Sequence, residues 1–417
     1  MKDNKAQIKD HNKRQSNIEL LRIISMSMII AMHYMTKGMK IDKLSVDNSL
    51  HNIVFWIIYA FCLSSVNAYV LISGYFAPDA KWSISKVIRL WAEVLVYSIL
   101  VPLVMNGFGA FDIGSSGLSV KQQIFMPVTY EHYWFATAYI MLLILSPVLS
   151  TAVTKLDKRI FGAVLILLII VFSVIKSVDP YLIPWDRYGN DVMWFVVLYL
   201  TAGYIRMYGI PFKLVRGPKK ADLSDIGTDQ KSGNRDMNSG TKDQASMRRI
   251  GWLAYIIFSM AAFLLALELS FIVRKTGKLE YAMDMTYCYN HILIFIASIG
   301  LFIAFINMKT GHIQWVNRIA AYTFGIYLIH DNIALRDKWM LIPGMDAATG
   351  QWWQIFHMII CVLIIFAVGA CIDLVRDTVF TFVTKLIRRN HETRVLIRSY
   401  RTTEYNRRYG DYGCQSL

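Results

Sequence analysis

Three side chains near the start of the sequence have the types and the spacing to do chemistry together. They are Glu19, Arg22 and His33, all within one largely apolar stretch. An imidazole changes charge near neutrality and suits proton transfer at working pH. A guanidinium offers forked donors that fit a carboxylate, a phosphate or a polarised carbonyl. His33 follows Arg22 by eleven residues. On a helix of about 100° per residue this places the two within about 20° of each other, and about 16 Å apart along the axis. Glu19, three residues before Arg22, falls on nearly the same face. One polar stripe could thus hold an anion at one end and move a proton at the other. Taken singly, Glu19 and Arg22 also fit interfacial charges that snorkel, and His33 fits a packed histidine. The shared stripe is what marks a site.

Further candidates lie downstream. Lys86 and Arg89 are i,i+3 neighbours, and Glu93 is four residues beyond Arg89. Two adjacent cations suit the phosphates of a nucleotide-like donor; the same spacing also fits a basic anchor with an Arg89–Glu93 pair inside one helix. Glu131-His132-Tyr133-Trp134 and His330-Asp331 fall at the ends of apolar runs. Both groups could line an acceptor pocket, or sit at the interface as polar and aromatic belt residues. Neighbours on a helix point about 100° apart, so His330 and Asp331 are not a ready-made dyad. Five cysteines (Cys62, Cys288, Cys361, Cys371 and Cys414) show no C-x-x-C spacing. No disulfide framework and no metal site is expected.

The elements that must position these residues are membrane helices. Of 417 residues, 55% are hydrophobic and 18% charged, below the quarter or so usual in a soluble domain. The apolar residues form unbroken runs rather than the alternation of barrel strands. The expected fold class is all-α, a polytopic bundle of about ten helices near 18–36, 53–77, 84–106, 132–151, 159–176, 191–208, 250–273, 288–307, 318–334 and 354–384. The N-terminal apolar stretch ends at His33-Tyr34 with no small-residue cleavage site, so it is expected to be retained. The net charge of +15 is concentrated in tails and alternate loops, which predicts both termini in the cytoplasm and argues against nucleic acid as a partner. The organisation expected is a basic tail 1–17, a membrane domain 18–384 with a flexible linker 212–249, and a basic tail 385–417. The linker holds nine Lys/Arg and five Asp and has no apolar period.

With these residues placed, the sequence resembles the acyltransferase 3 family of integral membrane acyltransferases. Asn17-Ile-Glu-Leu-Leu-Arg22, ten residues and then His33 resemble the family's opening motif. Ser73-Gly74-Tyr75, Lys86-Val-Ile-Arg89, His132-Tyr-Trp134-Phe135, Ser146-Pro147 and Gly325-Ile-Tyr-Leu-Ile-His330 resemble later segments in the same order. Lys86 departs from the pattern, because arginine is common there; lysine keeps the charge and loses the fork. The resemblance implies an O-acyltransferase, most simply an O-acetyltransferase, in a bacterial cytoplasmic membrane. It would bind no resident cofactor and would use acetyl-CoA or another acyl-CoA as donor. Its acceptor would be a hydroxyl of a cell-surface or lipid-linked glycan of the exopolysaccharide, capsule, lipopolysaccharide or peptidoglycan type. His33, Arg22 and Glu19 are the expected catalytic group, Lys86 and Arg89 the donor-binding pair, and His132, Trp134, His330 and Asp331 the acceptor-side candidates. The partners would be acyl-CoA, the glycan and membrane lipid. The alternative is a transporter or flippase of lipid-linked glycans, for which matched helix interruptions in two halves would be expected and are not seen.

Overall fold

A computed structural model describes residues 15–41, 50–179, 187–210, 233–339 and 342–409, of which 233–242 and 386–409 are described by their backbone alone. All regular structure among these residues is helical. Lipid offers the backbone no hydrogen-bond partner, and a helix satisfies its own N–H and C=O groups. The surface is correspondingly apolar: Ile359, Ile360, Leu363 and Ile364 are between 47% and 63% exposed on one helix.

Helix α1, Ser16–His33, runs into a π turn, Tyr34–Gly38. Helices α2, Leu50–Cys62, and α3, Ser64–Tyr75, follow one another in a single span. Next come α4, Ile84–Gly107, the short α5, Leu118–Phe125, and α6, Trp134–Lys155. Helix α7, Lys158–Ile169, continues through a π stretch to Val178. Then follow α8, Val192–Tyr208, α9, Gly233–Thr276, and α10, Ile292–Ile306. The short α11, Gln314–Ile319, and α12, Thr323–His330, are joined by a 3₁₀ turn, and the long α13, Gln354–Tyr409, completes the order. Among the described residues seven helical spans are long and apolar enough to cross a bilayer, with α8 and α10 shorter apolar helices beside them.

Three expectations need correction. The chain is helical from Gly233, well ahead of the expected start at 250. The second half of the expected linker is therefore helix, while 211–232 lie outside the described residues. The ninth expected span, 318–334, is a broken segment: α11, a tight turn and α12. The helix of the tenth also runs on past its apolar span, which ends at Lys385, to Tyr409. Residues 1–14 of the N-terminal tail, 410–417 of the C-terminal tail and 180–186 between the fifth and sixth expected spans lie outside the described residues.

Helix α1 is at the centre, packed against α3, α10, α11, α12 and α13. Polar side chains help to fix its surroundings by hydrogen bonding between helices. The Asn67 amide on α3 donates to the Tyr289 carbonyl (2.8 Å) and the Ser298 hydroxyl (3.0 Å), and accepts from the Trp194 indole (3.0 Å). One residue so ties α3, α8 and α10. Pro147 inside α6 has no N–H to give the Leu143 carbonyl one turn back. That carbonyl instead accepts from Ser146 Oγ (2.8 Å) and from Trp82 Nε1 (3.1 Å).

Candidate active site

Two cavities meet beside α1. The wider, about 490 Å³, is lined at the Arg22 end by Arg22, Ser73, Lys86, Arg89, Glu93, Tyr139 and Arg376 among others. The narrower, about 40 Å³, is lined by His33 with Met26, Ile29, Val66, Trp134, Tyr289 and Tyr327. Tyr69, Phe135 and Phe324 belong to the walls of both and make up the neck where the two adjoin. The stripe on α1 thus opens into one cavity at Arg22 and into the other at His33, as the eleven-residue spacing requires.

The wider cavity is basic but its cations are not idle. Arg22 Nη1 donates to both carboxylate oxygens of Glu19 (2.9 and 3.0 Å). Arg89 pairs with Asp377 (3.2 Å), and Lys86 donates to the Lys81 carbonyl (2.7 Å). Glu93 is taken by Arg376 (2.8 Å), so the Arg89–Glu93 pair suggested by spacing does not form. Arg376 also holds Asp373 (2.7 Å), whose Oδ1 accepts from the Tyr97 hydroxyl (2.6 Å). This network joins α4 to α13. It presses the Asp373 carboxylate so close to Gly325 of α12 that a Cβ there has no room. Three of the four cations lining the cavity are thus held by carboxylates and Lys86 by a backbone carbonyl, so a multiply charged anion entering it would compete with these partners.

The serine and glycine of Ser73-Gly74-Tyr75 now have separate jobs. Ser73 Oγ, in the cavity wall, is bonded to the Tyr139 hydroxyl (2.8 Å). Gly74 lets α3 touch the Tyr199 backbone of α8, where any side chain would collide.

At the narrow end the structure supplies a partner that spacing did not name. His330 Nδ1 lies 2.7 Å from the Ile326 carbonyl, and its Nε2 lies 3.0 Å from His33 Nδ1. A carbonyl can only accept, so His330 carries its proton on Nδ1. With both rings neutral, His330 Nε2 accepts from His33 Nδ1–H. The chain of bonds leaves the lone pair of His33 on Nε2, the nitrogen a general base needs. The ring centroids are 5.1 Å apart. Asp331, the neighbour, pairs with Lys37 in the π turn after His33.

The acceptor-side candidates therefore divide. Trp134 and His330 reach the His33 region; Asp331 is committed to Lys37. His132 is buried and lines neither cavity. Its Nε2 accepts from the Ile333 N–H (2.9 Å), so its Nδ1–H faces Ser98 Oγ (2.9 Å) and the Gln123 carbonyl (3.1 Å). Burial pushes this imidazole down from 6.5 to about 4, which keeps it neutral in that role. It ties the loop carrying α5 to α4 and to the chain after α12. Arg376, Asp373, Lys37 and the neck residues Tyr69 and Phe324 were not singled out from sequence. The first two were legible as an i,i+3 charged pair inside an apolar run, the same signal that marked Glu19 and Arg22.

No curated protein and no solved structure matches the chain. A family model described as an acyltransferase domain matches residues 15–376, a stretch that takes in all of the narrow cavity's lining and all of the wide cavity's except Asp377. Over that extent the match settles membership: the chain belongs to the acyltransferase 3 family and is a multi-pass membrane acyltransferase.

Proposed function

We propose that this protein is an O-acyltransferase that moves an acyl group, most simply acetyl, from cytoplasmic acyl-CoA to a hydroxyl of a cell-surface or lipid-linked glycan. Both termini lie in the cytoplasm of a bacterial cell on this reading, so the Arg22 end of the site faces the donor. The observation that carries it is the pair of neighbouring cavities that share an aromatic wall, with Arg22 in one and His33 in the other. Their axial separation of about 16 Å is comparable to an extended pantetheine arm. The CoA phosphates rest among Arg22, Lys86 and Arg89, with Glu19 orienting Arg22, and the thioester reaches His33 through the neck.

His33 Nε2 takes the proton of the acceptor hydroxyl as its oxygen attacks the thioester carbonyl carbon. The C=O pair moves onto oxygen. Collapse breaks the C–S bond, and the CoA thiolate leaves with the proton from His33. An ester and free CoA result. His330 holds His33 in the tautomer this requires.

The test is turnover of His33→Ala and Arg22→Ala proteins, expressed at the level of the parent. Loss of a positioned base is expected to lower acylation about 10²- to 10⁴-fold. Full glycan acylation by both variants would sink the assignment. Glycan movement across the membrane without acyl-CoA consumption would favour a flippase instead.

A further inference from the structure

The inner chamber has a size and a wall that bear on which acyl group is carried, and the proposal drawn from them rests on the acyl-CoA reading above. A cavity needs about 10–15 Å³ of this volume to hold one water-sized group. The chamber of about 40 Å³ passes that threshold and is less than a tenth the volume of the outer cavity. An acetyl group has three heavy atoms: methyl, carbonyl carbon and oxygen. Butyryl has two more carbons, and succinyl adds a charged carboxylate at the far end.

The wall is stiff where an acyl chain would have to grow. The aliphatic part of the chamber wall is Met26, Ile29 and Val66, all buried. The remaining walls are aromatic and mutually packed. Trp134 stacks on Tyr289 with centroids 5.7 Å apart, Phe135 stacks on Tyr139 at 5.8 Å, and Phe324 meets Tyr327 at 6.2 Å. Tyr69 is pinned by its hydroxyl to the Arg22 carbonyl (2.8 Å). A rigid, densely packed wall yields little to extra methylenes. Among the described residues no lysine or arginine lines this chamber, so a succinyl carboxylate would be buried there without a counter-charge in contact.

We propose that Val66, Ile29 and the neck residue Phe324 form an acyl-length filter that admits a two-carbon acyl group and rejects longer or charged ones. Size and polarity act separately in it. Val66 and Ile29 set the depth, Phe324 sets the width of the passage, and the lack of a cation sets the rejection of charge.

The experiment compares acetyl-, propionyl-, butyryl- and succinyl-CoA with the purified full-length protein in detergent. The acceptor is envelope glycan of the expressing cells stripped of its esters by mild alkali, and CoA release is followed. One methylene in a tight pocket is worth about 10- to 200-fold in kcat/KM. The parent is expected to prefer acetyl over butyryl by at least about 10²-fold. Val66→Ala and Phe324→Ala are expected to narrow that ratio at least about tenfold, with succinyl still refused. Equal use of butyryl and acetyl by the parent would overturn the filter, as would an unchanged ratio in both variants alongside native-like melting. Succinyl accepted once Val66 is shortened would remove the charge half of the argument. No turnover of any of the four esters by a folded protein would reject the acyl-CoA reading itself, and the filter with it.

Discussion

His33 and His330 meet from opposite ends of the sequence, 297 positions apart, and each is incomplete without the other. The Ile326 carbonyl decides the tautomer of His330, and His330 decides that of His33. A consequence can be measured. His330→Phe removes the acceptor for His33 Nδ1–H and frees the ring to adopt the wrong tautomer. A fall in kcat on the order of 10²-fold is expected, the lower end of what a positioned base contributes, with KM for the donor little changed. His330→Gln, whose amide oxygen can still accept, should restore most of the loss. A structural role alone would predict matching falls in melting temperature instead, with no rescue by glutamine. The tautomer was out of reach of the sequence, because a helical wheel relates residues on one helix and says nothing of what a second helix brings up to them. It did place Glu19, Arg22 and His33 on one face, and Glu19 does hold Arg22. It offered an Arg89–Glu93 pair, and the partner that claims Glu93, Arg376, lies 283 positions away.

Among the elements, run length and hydropathy located most helices to within a few residues, since a bilayer demands about 20 apolar residues whatever the tertiary packing. They failed where that demand relaxes. Helix α9 begins in a polar, charged stretch at Gly233 that no membrane criterion detects. The α11–α12 segment is broken by a 3₁₀ turn, Ala320–Tyr322, and so carries neither the length nor the uniformity of a span. That break has a use: Ala320 to Phe324 line the wide cavity, where irregular backbone is tolerated because it faces a cavity rather than lipid. The contact of α3 with α8 at Gly74 makes a prediction of its own. Gly74→Ala puts a methyl group against the Tyr199 backbone and should cost about 1–3 kcal/mol, the usual penalty of overpacking. A melting temperature in detergent equal to that of the parent would contradict the close approach.

For the molecule as a whole, the proposed orientation can be read by labelling. Ser115→Cys in the loop before α5 should react with a membrane-impermeant thiol reagent on intact cells. Asp157→Cys at the start of α7 should react only after permeabilisation, each measured over the native cysteines. The reverse pattern would invert the molecule and detach the basic cavity from the CoA pool. The neck formed by Tyr69, Phe135 and Phe324 has one more consequence when set against the proposed reaction. The phosphates stop on the Arg22 side, and only the acyl portion passes onward to the acceptor. What travels outward is equivalent to an acylium ion of charge +1; what returns, on the departing thiol, is the proton of the acceptor hydroxyl, also +1. The two displacements cancel. Each turnover therefore does no net electrical work against the membrane potential, and the enzyme can modify a glycan on an energised membrane without drawing on its voltage or discharging it.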